Sequence, residues 1–130
     1  ELEVPCILMS VKANLQDMLI AFASEVQELR DLGARDIIFD PGYGFGKTLT
    51  ENYQVYRESE RLDILHLPVL VGISRKSMIF KLVGGDSSTS LNGTTVLNTI
   101  ALMKGASILR VHDVKPAVEA VKIVEKMKYA

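Results

Sequence analysis

Residues 37–47 have the sequence IIFDPGYGFGK, which is three apolar residues, an aspartate and a loop rich in glycine. A short apolar run that breaks into polar residues is typical of a buried strand that ends at a sheet edge. Two later stretches have the same form, VLVGISRKS (69–77) and ILRVHD (108–113). Because parallel strands end at one common edge, where ligands bind, we expect the three loops to form one site for an anionic, partly aromatic ligand.

The rest of the chain repeats this strand–helix unit. The predicted strands cover residues 4–9, 36–39, 68–72 and 107–111, and they begin 32, 32 and 39 residues apart. They are dense in Val, Ile and Leu and do not alternate with polar residues, as expected for strands covered on both faces. Such units predict an α/β fold of parallel strands with right-handed crossovers, in one domain over residues 1–130.

The helices between the strands have recognisable ends. Asn14 is a predicted N-cap, with Asp17 in the first turn, and Gly33 is a predicted C-terminal cap. Further helices are predicted over residues 50–62, 77–82 and 94–104, and Pro116 is expected to open the last one. Residues 84–92, rich in Gly and Ser, predict a mobile loop.

Composition excludes several classes of protein. The 130 residues are 48% hydrophobic and 24% charged with a net charge of −1, which gives no basic field for nucleic acid. No apolar run is long enough for a membrane span, and no leader is visible, so we expect a cytoplasmic protein. Cys6, the one cysteine, is expected to be a buried, inert strand residue, and His66 to lie on the surface. The start at Glu1 rather than Met suggests a fragment.

The glycine loop matches neither common nucleotide motif. Counting from Gly42, the dinucleotide fingerprint needs a glycine where Lys47 stands, and the P-loop needs one where Pro41 stands. Asp40 instead suits paired hydrogen bonds from a heterocycle, with Tyr43 and Phe45 covering an aromatic ring. The alternative, that Asp40 only caps the turn, stays open.

The other two loops carry cations. Arg75 and Lys76 follow a strand and begin a helix, which is typical of an anion site, although a solvated surface pair is the simpler reading. Arg110 and His112 are two residues apart on a strand, so they are expected to share a face and to grip phosphate. Asp113 is expected to orient His112 or to cap the final helix. We find no nucleophile–base pair and no metal-ligand cluster, which leaves positioning and electrostatic stabilisation of a leaving anion.

Together the motifs DPGYGFGK (40–47), GISRKS (72–77) and RVHD (110–113) resemble the later signature motifs of dihydropteroate synthase, the sulfonamide target in folate biosynthesis. The resemblance covers essentially the whole chain. It implies a (β/α)₈ barrel of which residues 1–130 are the carboxyl-terminal half, units 5 to 8, because a full barrel needs about 250 residues.

The resemblance also implies an activity. The family is a transferase that joins p-aminobenzoate to 6-hydroxymethyl-7,8-dihydropterin diphosphate and releases diphosphate with Mg²⁺ present. By position, the implied contacts are Asp40, Lys76, Met9 and Gly72 for the pterin, Phe45, Ser74 and Arg75 for the aminobenzoate, and Arg110 and His112 for the diphosphate. No metal ligand is expected in this chain, a homo-oligomer is expected, and the chain alone is expected to be incomplete, inactive and prone to self-association.

Two departures leave alternatives open. The first strand of the family usually ends Met-His, whereas Ser10 follows Met9 here, and the chain supplies only four of eight units. The alternatives are the pterin-binding domain of a corrinoid-linked methyltransferase, against which Arg75 and Lys76 argue, and a non-catalytic fragment that binds pterin or phosphate.

Overall fold

The computed structural model describes residues 4–130, so Glu1 lies outside the described residues. The strands are β1 (Cys6–Met9), β2 (Ile37–Asp40), β3 (Leu70–Val71) and β4 (Ile108–Leu109). The helices are α1 (Leu15–Asp31), α2 (Leu49–Arg57), α3 (Ser77–Val83), α4 (Leu91–Met103) and α5 (Val114–Tyr129). Two 3₁₀ helices span Ser59–Leu65 and Ser87–Thr89. The predicted α/β alternation is confirmed.

All strand pairs are parallel, as predicted. β1 pairs with β2 and places Met9 opposite Asp40, while β3 pairs with β4. A single parallel bridge between Phe39 and Val69 joins the two pairs, so the order across the fold is β1-β2-β3-β4. The carboxyl ends of the strands therefore lie at one edge, where the three polar loops begin.

The core lies between the strands and the helices. Phe22 of α1 packs on Phe39 of β2 with ring centroids 4.5 Å apart, and both side chains are fully buried. The other face of the outer strands is open, since Ile7 is 54% and Ile108 is 37% exposed. The expectation that every strand is covered on both faces is therefore wrong for β1 and β4. In β1, half-buried and exposed residues alternate because helices cover only one side.

Side-chain caps set the helix starts. Asn14 accepts a hydrogen bond from the Asp17 amide at 2.9 Å, which confirms the predicted N-cap of α1. After α1, Gly33 takes φ +96°, the left-handed conformation of a C-terminal cap. Thr48 and Glu51 form a reciprocal capping box, so α2 begins at Leu49, one residue before the predicted start.

Several predicted segments differ from the structure. The strands predicted over 68–72 and 107–111 are limited to β3 and β4, so Arg110 and His112 lie beyond the strand on which they were predicted. The helix predicted over 50–62 ends at Arg57 and gives way to a 3₁₀ helix. Within the predicted mobile loop 84–92, the Asp86 carboxylate accepts from the Ser88 amide and caps a second 3₁₀ helix, and α4 already begins at Leu91. Pro116 lies inside the first turn of α5, where its missing N–H leaves no bond unmade.

The remaining expectations concern exposure. His66 is exposed, as predicted, whereas Cys6 is only half-buried. Among residues 4–130, no helix combines the length and the apolar character that a bilayer crossing requires.

Candidate functional site

The centre of the site is the carboxylate of Asp40 at the end of β2, whose residue is only 2% exposed. Its Oδ1 accepts a hydrogen bond from the Gly42 amide at 2.9 Å, and its Oδ2 lies 3.5 Å from Arg110 Nη2. One oxygen therefore caps the turn, as the simpler of the two readings expects, while the ligand-binding reading stays a prediction. The other oxygen faces a cation and retains accepting capacity for a ligand.

The glycine loop is folded around a second cation that the sequence did not reveal. Lys47 Nζ donates to the carbonyls of Gly42 at 2.9 Å, Phe45 at 3.2 Å and Ser10 at 3.4 Å. Burial lowers the pKa of Lys47, while the nearby Asp40 carboxylate opposes that shift. Lys47 thus holds the loop against the residue that follows β1. The sequence could not predict this role of Lys47, because it does not show which way the carbonyl groups of the loop point.

The two aromatic residues of the loop do different things. Phe45 is 45% exposed, and Lys76 Nζ stands 4.8 Å from its ring centroid, within cation–π range. Tyr43 is fully buried and packs on Tyr56 at 5.3 Å between centroids. The expectation that both rings cover a ligand is therefore wrong for Tyr43, because its ring belongs to the core.

Tyr43 and Tyr56 also differ in how their hydroxyls are satisfied. Tyr56 donates to the carbonyl of Leu97, whereas the Tyr43 hydroxyl has no hydrogen-bond partner among the described residues. Burial raises the pKa of both phenols well above the ordinary value, so both stay protonated.

We expect Tyr43→Phe to leave the free energy of unfolding unchanged or to raise it by up to about 1 kcal/mol, because it removes a buried, unbonded hydroxyl. Tyr56→Phe is expected to lower it by about 1 kcal/mol, because a made hydrogen bond is lost. Urea denaturation of the two variants and the parent chain measures both. A Tyr43→Phe loss equal to that of Tyr56→Phe would mean that the phenol is in fact bonded, with Ser59 the nearby side chain that also affects its pKa.

Lys76 links the loop after β3 to the glycine loop. Its Nζ donates to the carbonyl of Tyr43 at 2.7 Å. Burial lowers the pKa of Lys76, Asp40 opposes the shift and Arg110 adds to it. The ammonium therefore lies in the field of both groups and stands over the exposed ring of Phe45.

Gly72 gives Arg110 its path to Asp40. A Cβ at Gly72 would lie 2.8 Å from Arg110 Nη2 and 3.2 Å from Nε, so the guanidinium passes directly over this glycine. The Arg110 amide donates to the carbonyl of Val71 at 3.0 Å. This bond fixes the backbone of Arg110 just beyond the end of β4. On the other side, Met9 stands opposite Asp40 in the strand register and is 43% exposed.

Ser74 and His112 form a separate contact. The Ser74 hydroxyl is buried and lies 2.9 Å from His112 Nδ1, and it also accepts from the His112 amide at 3.2 Å. His112 itself is exposed. A hydroxyl held on Nδ1 fixes the ring and leaves Nε2 for another partner.

Arg75 and Asp113 bind each other, which the sequence did not reveal. Arg75 Nε and Nη2 donate to the two carboxylate oxygens at 2.8 and 3.2 Å. The Arg75 bond holds the pKa of Asp113 below its usual range. Asp113 stands at the N-cap position of α5 but makes no side-chain cap bond there, so neither expectation for it, capping or orienting His112, matches its contacts.

The structure thus brings Met9, Asp40, Phe45, Gly72, Lys76 and Arg110 to one edge of the sheet, with Ser74 and His112 on the adjoining loops. Their ligand roles stay predictions. Sequence reasoning missed Asn52, whose Oδ1 accepts from the Gly44 amide at 2.7 Å, and Thr94, whose hydroxyl accepts from the Arg75 amide at 2.9 Å. Both residues are buried in the structure. The sequence showed only that they are polar residues inside helical segments, and such residues form hydrogen bonds when they are buried.

Comparison of the sequence with known proteins identifies the family of this chain. The sequence model of the pterin binding enzyme family matches residues 5–112. The dihydropteroate synthase of Escherichia coli K12 is 44% identical over 98 residues, which cover 75% of this chain and 35% of the relative.

Solved structures of similar proteins point to the same family. A Yersinia pestis DHPS with a pterine-sulfa conjugate superposes with a TM-score of 0.92 at 37% identity, covering 96% of this chain and 52% of that one. A Xanthomonas albilineans dihydropteroate synthase with 4-aminobenzoic acid gives a TM-score of 0.91 at 29% identity and covers 98% and 50%. The chain therefore spans about half or less of the length of these relatives. Since the family model matches most of its residues, the chain belongs to the pterin-binding enzyme family.

Proposed function

We propose that this chain is the carboxyl-terminal half of a dihydropteroate synthase, a transferase that condenses p-aminobenzoate with 6-hydroxymethyl-7,8-dihydropterin diphosphate. One observation carries the proposal. A buried carboxylate, Asp40, lies beside Arg110 and in the field of Lys76 at the ligand-binding edge of a parallel sheet, in a chain of a pterin-binding family. The products are 7,8-dihydropteroate and diphosphate.

The half-barrel is part of the same proposal. Residues 1–130 are units 5 to 8 of a (β/α)₈ barrel, and the other units pair with the outer edges of β1 and β4 and cover the open face on which Ile7 and Ile108 lie. Two facts support this. The chain spans about half of the two similar structures, and apolar side chains such as Ile7 and Ile108 stand exposed on the outer strands. The open edges also favour self-association of the isolated chain.

The pterin is bound by the acidic end of the site. The free accepting capacity of Asp40 suits the adjacent N–H and NH₂ groups of the heterocycle, which donate in a fixed pair. Lys76 donates to the carbonyl oxygen of the ring while Met9 and Gly72 line its faces. Gly72 suits this place because its missing side chain leaves room for both the ring and the Arg110 guanidinium.

The other two substrate groups lie outward from the pterin. Phe45 packs on the aminobenzoate ring, and Ser74 lies near its carboxylate. Arg110 and His112 hold the diphosphate. The aminobenzoate amine attacks the methylene carbon of the pterin, so that a C–N bond forms and the C–O bond to diphosphate breaks. The proton released from the amine passes to water, and Arg110 and His112 stabilise the charge that leaves with the diphosphate. The chain supplies position and charge rather than a proton-transfer pair.

Mg²⁺ is expected from the family resemblance, which implies no ligand for it in this chain. Across residues 4–130, no three His, Cys, Asp or Glu side chains are grouped so as to hold a metal ion. In the proposal, residues 1–130 act on the diphosphate through Arg110 and His112, and the place of Mg²⁺ is a proposal about the complete protein.

The test is an assay of diphosphate release and pterin binding by this chain and by the complete protein that carries it. We expect release from the complete protein and little from the 130-residue chain. In the complete protein, Lys76→Ala is expected to weaken pterin binding by about 1–3 kcal/mol, the range for a charged hydrogen bond, as measured by calorimetry. Lys81→Ala is the matched control, because Lys81 is an exposed lysine of α3.

Two results would contradict the proposal. Unchanged pterin affinity in Lys76→Ala would remove Lys76 from the site. Robust diphosphate release by the 130-residue chain alone would show that the chain is not incomplete.

A further inference from the structure

Three successive residues after β3 reach three different parts of the fold. Ser74 contacts His112 and Lys76 donates to the Tyr43 carbonyl, so these two residues hold the loop after β4 and the glycine loop. Between them, Arg75 takes φ +55°, a left-handed conformation that is uncommon for a residue with a side chain. The backbone is therefore held in an unfavourable conformation at the point where the loops meet.

The Arg75 side chain makes several bonds that help to hold this conformation. Besides the paired bonds to Asp113, its Nη1 donates to the carbonyls of Ser87 at 2.8 Å and Ser88 at 2.9 Å. Four of the five guanidinium N–H donors are thus used within the protein. Its amide adds a bond to Thr94 of α4.

These contacts join segments that are far apart in the chain. Ser87 and Ser88 belong to the 3₁₀ helix before α4, and Asp113 is next to His112 at the start of α5. A single side chain therefore ties the loop after β3 to the segment before α4 and to the loop after β4. Little donor capacity is therefore left for the aminobenzoate, which is the ligand that the family resemblance implied for Arg75.

We propose that Arg75 is a positioning residue and that its ion pair with Asp113 holds His112 and Lys76 in place for the ligand. The proposal rests on the proposed function, since it concerns the same site. A fork of two parallel N–H···O bonds fixes direction as well as distance, so the pair can set the angle of the His112 loop against β3. Asp113 contributes through Arg75 and touches no substrate.

The experiment compares Arg75→Gln, Asp113→Asn and the double variant in the complete protein that carries residues 1–130. The first readout is hydrogen exchange of the backbone amides in residues 86–94, and the second is calorimetric binding of inorganic diphosphate. Glu60→Gln is the matched control, because it breaks another ion pair at 2.8 Å, with Lys104, among residues that do not contribute to the site.

We expect each single variant to speed exchange in residues 86–94 and to weaken diphosphate binding about tenfold. The double variant is expected to be no weaker than either single one, because both changes break the same pair. Glu60→Gln is expected to change neither readout. If the Arg75–Asp113 pair only stabilised the fold, the variants would lower the melting temperature, but the single and double variants would not lose diphosphate affinity to the same extent.

Two outcomes would overturn the proposal. A loss of affinity in Arg75→Gln but not in Asp113→Asn would mean that Arg75 binds the ligand directly. Unchanged exchange in both single variants would mean that the pair holds nothing in place. If the complete parent protein binds no diphosphate, the proposed function fails, and the exchange data alone then decide the role of Arg75.

Discussion

Asp40→Asn in the complete protein is expected to weaken pterin binding by about 3 kcal/mol, or roughly 100-fold, which is the largest binding effect predicted for this chain. The amide keeps one oxygen to accept from Gly42, so the turn after β2 is retained. The negative charge is lost, however, and the amide NH₂ would face both the Arg110 guanidinium and the N–H groups of the pterin. Donors would then meet donors in a buried place, which is costly.

Calorimetry with 6-hydroxymethylpterin measures this loss, and circular dichroism confirms that the variant is folded. Asp36→Asn is the matched control, since Asp36 lies next to the opposite end of β2 and is exposed. It should bind as the parent does. Equal affinity in Asp40→Asn and the parent would remove the carboxylate from the pterin site and with it the main support for the proposed function.

The convergence of Asp40, Lys76 and Arg110 could be predicted from the sequence because it depends only on strand order. Each residue follows an apolar run, and parallel strands deliver their carboxyl ends to one edge. The contact of Asp40 with Arg110 at 3.5 Å is the outcome of that rule. It needed no knowledge of side-chain conformation beyond the strand ends.

The pairing of Arg75 with Asp113 could not be predicted in the same way. The two residues are 38 positions apart, and the sequence shows neither the left-handed backbone at Arg75 nor whether its side chain meets solvent, a substrate or a carboxylate. Tyr43 shows the same limit. Tyr43 stands between two glycines, whose backbone can adopt many conformations, so the sequence does not say whether its ring faces a ligand or Tyr56.

The second large effect concerns the glycine loop itself. Gly42→Ala is expected to lower the free energy of unfolding by about 3–4 kcal/mol and the melting temperature by about 10 °C or more. Gly42 has φ +70°, which costs a residue with a side chain about 1–2 kcal/mol. An added Cβ would also lie only 2.0 Å from the backbone oxygen of Ser10, so the segment after β1 must move.

The measurement is thermal and urea denaturation of Gly42→Ala beside Gly105→Ala. Gly105 has φ +99°, but an added Cβ there would meet nothing within 4 Å, so this variant isolates the conformational cost, about 1–2 kcal/mol. The difference between the two variants then measures the clash with Ser10. Because Lys47 donates to the carbonyls of both Gly42 and Ser10, movement there would also loosen the turn that holds Asp40. Equal losses in the two variants would mean that the loop yields freely, and the glycine would then be required for its φ alone.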